Sequence, residues 1–127
     1  MMKLTRSLED YLKNMYLIEQ SKGFVRLKDL VKKLNVKPSS VNHAVKKLSE
    51  EGLISYEKYG YIKLTEKGKK SAKSVYSRHE IIFKFLTEML GVNEKTAKKE
   101  ACVLEHHLSK KTIEKISNLL KQNKIGR

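Results

Sequence analysis

Apolar residues recur at spacings of three and four at Leu8, Leu12, Met15, Tyr16 and Ile18. That rhythm gathers side chains on one side of an α-helix. Ser21-Lys22-Gly23 closes the segment with a glycine suited to the left-handed geometry of a helix end. Ser7 followed by Asp10 three residues on predicts a capping box at its start. Leu27, Leu30, Val31 and Leu34 predict a second, short helix ended by Asn35. Pro38 then disfavours helical geometry at Lys37 and suits the first turn of a third helix, which Val41, Ala44, Val45 and Leu48 carry towards Gly52. From Leu53 the period changes to two, through Ile54-Ser55-Tyr56-Glu57 and Tyr61-Ile62-Lys63-Leu64, which predicts a β-hairpin. Thr65 and Glu66 open a long helix whose stripe of Ala72, Val75, Tyr76, His79, Ile82, Phe83, Leu86 and Met89 reaches Gly91. Asn93 caps a fifth helix with Ala97, Ala101, Leu104 and Leu108 on one face. Ser109 precedes a sixth with Ile113, Ile116, Leu119 and Leu120, and the tail from Asn123 is expected to fray.

Three helices and a hairpin in this order, with a short connection between helices two and three, describe a winged helix-turn-helix over residues 7 to 64. The later helices carry more apolar stripe than so small a lobe covers alone, and a second copy of the chain is the simplest cover. The expected architecture is mainly α: a winged helix-turn-helix domain over residues 1–70, then a helical metal-binding and dimerisation domain over 71–127.

Charge adds a partner. The 127 residues hold 28 Lys and Arg against 14 Asp and Glu, a net +14, which attracts polyanions at long range. Residues 1–72 carry +8 and residues 73–127 carry +6, so charge alone does not locate the site. The third helix does. Its polar positions Ser39, Ser40, Asn42, His43, Lys46 and Lys47 fall opposite its apolar ones. Hydroxyl, amide and imidazole groups suit base edges, and lysines suit the flanking phosphates of double-stranded DNA. Lys58, Tyr59 and Lys63 in the hairpin are candidates for a wing laid along the backbone. The single cysteine, Cys102, excludes an internal disulfide, and neither a signal peptide nor a run of about 20 apolar residues is present; a cytoplasmic protein without membrane association is expected.

Glu100-Ala101-Cys102-Val103-Leu104-Glu105-His106-His107 holds a thiol, a carboxylate and an imidazole at i, i+3 and i+4, adjacent on a helix and suited to a borderline divalent ion. The same residues also share helices for solubility and packing, and His79, which interrupts an apolar stripe, reads by itself first as a core histidine bonded to a carbonyl.

Glu9-Asp10-Tyr11-Leu12, Lys37-Pro38-Ser39-Ser40-Val41, Tyr56-Glu57-Lys58-Tyr59 and Leu64-Thr65-Glu66-Lys67-Gly68 resemble the diphtheria toxin repressor and manganese transport regulator family. Arg78-His79-Glu80 and the segment from Glu100 to Ser109 complete the likeness, which covers residues 7 to about 122 and matches the short form without an SH3-like domain. The resemblance implies a metal-activated repressor that binds a palindromic operator as a homodimer and controls metal uptake. It places Asp10, Cys102, Glu105 and His106 on the principal metal site and His79 on a neighbouring ligand position. Asp10 matches the manganese-type members and Cys102 the iron-type ones, so Fe(II) or Mn(II) is expected, with Co(II), Ni(II) or Zn(II) able to bind in vitro. Lys13, Phe83 and Lys98 stand where family members carry further ligands, which puts a second ion site in question. The rival reading is a metal-independent or redox-sensing winged-helix regulator. No nucleophile, phosphate loop or HExxH motif supports an enzyme, and no small-molecule substrate is expected.

Overall fold

The computed structural model describes residues 4–57 and 60–125 and divides into two compact units, Met1–Ser74 and Val75–Arg127. The first holds α1 (Arg6–Lys22), β1 (Val25–Arg26), α2 (Leu27–Leu34), α3 (Pro38–Glu50), β2 (Ile54–Tyr56) and β3 (Tyr61–Leu64). α4 (Glu66–Lys84) begins in the first unit and continues into the second, which adds α5 (Glu94–Leu104) and α6 (Lys110–Ile125). The mainly helical winged helix-turn-helix followed by a helical lobe is the architecture anticipated from periodicity.

Local chemistry explains most boundaries. The N-cap of α1 is Thr5, whose hydroxyl accepts from the Leu8 amide at 3.2 Å, and not Ser7. The helix starts two residues earlier than the Ser7 pattern predicts because the Thr5 carbonyl already accepts from Glu9 N at 2.9 Å, leaving Ser7 inside the first turn. Gly23, at φ 87°, ends α1 and donates its N–H to Glu19 O. The Asp29 carboxylate accepts from the Arg26 amide at 3.0 Å at the start of α2 and from Lys22 Nζ at 2.8 Å, while Asn35 ends the helix at φ 52°. Pro38 opens α3 after a three-residue turn. The side chains of Asn93 and Ser109 cap α5 and α6 by accepting from Thr96 N and Thr112 N.

Two elements escape the periodicity. Val25 and Arg26 form a third strand, and the sheet order is β1-β3-β2, all antiparallel, with Val25 opposite Ile62 and Ile54 opposite Leu64. A two-residue strand has no alternation to detect, and tertiary pairing alone defines it. The predicted continuous helix to Gly91 stops being α at Lys84 and becomes a π-helical turn over Phe85–Met89, closed by Leu90 N to Phe85 O. Thr87 Oγ1 bonds back to Phe83 O at 3.0 Å there, the kind of side-chain competition that bends a ladder.

Leu12, Met15, Leu30, Val41 and Leu48 are fully buried in the core of the first unit. Each large side chain removed from water in this way contributes roughly 1.5–3 kcal/mol. Gly68 is required by its surroundings: a Cβ there would lie 1.9 Å from the Leu53 carbonyl oxygen. That close approach seats the first turns of α4 on the chain entering β2. The second unit has its own core of Ile82, Leu86, Ala97, Ala101 and Ile113.

Candidate metal centre and nucleic-acid interface

In the first unit α3 buries Val41, Ala44, Val45 and Leu48 and leaves Ser39, Ser40, Asn42, His43, Lys46 and Lys47 exposed, so all six nominated positions face solvent. The N-terminal end of α3 and the first turns of α1 flank an open cavity of about 590 Å³, with Thr5, Ser7, Ser39, Ser40, His43 and Lys47 among its walls. Four hydroxyls, a lysine and two helix N-termini suit phosphate oxygens. Thr5 and Ser7 carried no signal in the sequence beyond helix capping, because only the fold brings them beside α3. Lys63 is exposed on β3. Lys58 and Tyr59, the other wing candidates, lie outside the described residues.

In the second unit His79 of α4 meets Cys102 and Glu105. One thiol sulfur, one imidazole nitrogen and one carboxylate oxygen all lie within 4.8 Å of one another. Cys102 Sγ is 3.8 Å from His79 Nδ1, which is 3.5 Å from Glu105 Oε1. His106 Nε2 lies 3.9 Å from the same Glu105 oxygen. The expected helical stripe of donors is corrected in one respect: α5 ends at Leu104, so Glu105 is its C-cap and His106 lies in the turn beyond. Past Leu104 the ladder tightens, with His106 N bonding Val103 O and His107 N bonding Leu104 O. Glu105 and His106 therefore ride on a turn, while Cys102 stays in the last turn of α5. The His79 ring stacks on Phe83, with centroids 6.4 Å apart and planes 11° from parallel.

Glu105 is 1% exposed, and a carboxylate is expensive to bury unless a cation or strong donors compensate it. A protonated His79 would be one such cation. Hydrogen bonds to Cys102 and then to Glu105 favour the imidazolium and, against the opposing effect of burial, push His79 up to about 9. The donor set also fits a divalent transition metal. Metal–ligand bonds of about 2.0–2.3 Å place tetrahedral neighbours roughly 3.3–3.7 Å apart. The 3.5 Å separation falls inside that range and the 3.8 Å separation just above it. The mixture of S, N and O donors suits a borderline ion better than a hard one such as Mg(II) or Ca(II).

Asp10 belongs to the first unit, half-buried on α1, with Lys13 Nζ 4.0 Å from its carboxylate. Among the described residues no helix is long and apolar enough to cross a membrane.

Residues 3–62 match the family model described as the iron dependent repressor, N-terminal DNA binding domain. Residues 65–125 match the iron dependent repressor, metal binding and dimerisation domain. The chain is 43% identical over 122 residues to an uncharacterized HTH-type transcriptional regulator of Methanocaldococcus jannaschii, covering 95% of this chain and 98% of that one. It is 40% identical over 116 residues to the HTH-type transcriptional regulator MntR of Lysinibacillus sphaericus, covering 91% of this chain and 83% of that one. Its fold is similar to the solved manganese regulator SloR (TM-score 0.80, 32% identity, 94% of this chain and 55% of that one). It is also similar to a manganese-dependent transcriptional repressor in complex with manganese (TM-score 0.83, 30% identity, 90% and 52%). The chain thus spans about half the length of these two solved chains.

Proposed function

We propose, for a chain that belongs to the iron-dependent repressor family of metal-dependent transcriptional regulators, that it binds a palindromic DNA operator as a homodimer when Fe(II) or Mn(II) fills the site at His79, Cys102 and Glu105. The observation that carries the proposal is the meeting of three chemically different donors, one fully buried, in a chain whose other unit is a winged helix-turn-helix. A bound divalent cation supplies the positive charge that lets a thiolate and a carboxylate share this buried place. His79 and Cys102 offer one nitrogen and one sulfur, and Glu105 offers an oxygen already drawn towards the imidazole. His106, whose side chain is 1% exposed beside Glu105, is a further donor. The family resemblance adds Asp10 from α1, which would make DNA affinity respond to metal through the first unit.

On the DNA side, Ser39, Ser40, Asn42 and His43 supply base-edge groups, and Lys46 and Lys47 neutralise phosphates. Two reading heads related by twofold symmetry would engage half-sites about 34 Å apart, which a palindrome provides. Leu90, Val103 and Leu119 are exposed large apolar residues of the second unit and support self-association there.

The test is an operator-binding titration with each metal under anaerobic conditions, followed by chelator. Tighter binding with Fe(II) or Mn(II), reversed by chelation, is expected. DNA affinity indifferent to every ion would overturn the metal-switch reading and favour a metal-independent regulator.

A further inference from the structure

We propose that Arg78 is a positioning residue of the metal centre, holding the backbone of the donor-bearing turn in place from the neighbouring helix. The inference rests on the metal-centre reading above and asks what holds the donors together.

Arg78 Nε donates to the backbone carbonyl of Glu105 at 3.0 Å. Its neighbour on α4, His79, meets the side chain of that same residue at 3.5 Å. Consecutive residues of one helix therefore grip Glu105 twice, one by its main chain and one by its carboxylate. The grip falls where the helix itself offers least support. Glu105 is the C-cap of α5, and the next two amides, His106 N and His107 N, reach back only three residues, the first to Val103 O at a long 3.4 Å. Carbonyls at a helix C-terminus lose their intrahelical donors and carry the negative end of the dipole, so a guanidinium is the favoured external partner. A charge-assisted bond is roughly twice as strong as a neutral one. Arg78 is also half-buried, which restricts the conformations from which it bonds.

The consequence concerns affinity. Donors whose separations from His79 Nδ1 are already 3.5 and 3.8 Å bind well only if the turn does not relax. Residues that orient ligands from outside the coordination shell typically control affinity by about 10- to 100-fold. The cationic head of Arg78 also opposes a second cation nearby, so its two effects differ in sign. If charge dominated, removing Arg78 would tighten metal binding. Positioning predicts the reverse. Lysine keeps the charge but presents a mobile ammonium in place of the fixed Nε–H, so Arg78→Lys should recover little.

The experiment titrates the full native chain, Arg78→Ala and Arg78→Lys with Mn(II) and, anaerobically, with Co(II). It follows the heat of binding and the Cys102 thiolate-to-cobalt absorption, and far-UV circular dichroism of the metal-free proteins reports folding. Expected are a Kd raised about tenfold or more for Arg78→Ala and a clear weakening for Arg78→Lys. Both variants should show a weaker thiolate band per bound cobalt. A purely structural role would lower the melting temperature yet leave the Kd and the thiolate band of the folded protein unchanged. A folded variant that binds either ion within about twofold of native, or more tightly, overturns the proposal, and Arg78→Lys decides if Arg78→Ala does not fold. Failure of the native chain to take up either ion would sink the metal-centre reading itself, whereas native uptake with indifferent variants removes only the role of Arg78.

Discussion

Replacing Gly68 with alanine sets two physical effects against each other. In an exposed helix the change stabilises, because alanine loses less backbone entropy, by roughly 0.5–1 kcal/mol. Here the added Cβ would stand 1.9 Å from Leu53 O and 2.9 Å from Leu53 C, where ordinary contact begins at 3.4 Å. The obstacle is main chain, not a flexible side-chain end, so α4 and the Leu53 peptide must separate by more than an ångström. Forcing a methyl group into such a contact costs about 1–3 kcal/mol. The Leu53 carbonyl also accepts from Thr65 N at 3.0 Å, and distorting that bond forfeits about 1 kcal/mol more. After subtracting the propensity gain, Gly68→Ala should destabilise by about 1–3 kcal/mol, lowering the melting temperature by roughly 4–12 °C for a chain of this size. Thermal and urea unfolding of the metal-free protein measure it. Because Leu53 leads directly into β2, DNA affinity should fall as well. An alanine variant as stable as native, or more stable, would refute the reasoning, since only the propensity term would then have operated.

Three further outcomes are expected. Lys46→Ala and Lys47→Ala should each weaken operator binding and reduce the slope of log K against log salt by about one if the lysine contacts a phosphate; an unchanged slope would remove that residue from the interface. Cys102→Ala and Glu105→Ala should abolish metal-dependent DNA binding, while Asp10→Asn should weaken it, all measured by anaerobic titration with chelator reversal. Burial would raise Asp29, but its hydrogen bonds from Lys22 and the Arg26 amide outweigh that and hold it below its ordinary 3.8. The stabilisation is therefore complete above that value and lost as pH falls through the folded pKa. Lys22→Met should make the melting temperature less sensitive to acid below about pH 4, and an unaltered acid limb would exclude the pair as its source.

Much of the architecture was legible locally. Periods of 3.6 and 2, Gly23, Asn35, Pro38, Asn93 and Ser109 all act through near neighbours, and helix starts followed within two residues. What was missed depended on distant partners. Thr5 and Ser7 both have N-capping hydroxyls, and the backbone bond from Glu9 to Thr5 selects between them. β1 exists because Val25 and Arg26 meet Ile62 and Tyr61, with the Arg26 guanidinium 4.6 Å above the Tyr61 ring. The π-helical turn interrupts a stripe that reads as uninterrupted helix.

The candidate centre divides in the same way. Residue chemistry and spacing alone determined that Cys102, Glu105 and His106 are good metal donors close together in the chain, and that α3 has a polar face fit for DNA, since both follow from side-chain type and helical repeat. The family resemblance named His79, 23 residues before Cys102, as a neighbouring ligand, but only tertiary structure decided that it stands 3.8 Å from Cys102, that Glu105 lies fully buried, and that its backbone is held by Arg78. Such contacts arise from packing between α4 and the turn after α5. No local periodicity encodes that packing, because the energy that selects it belongs to the whole core.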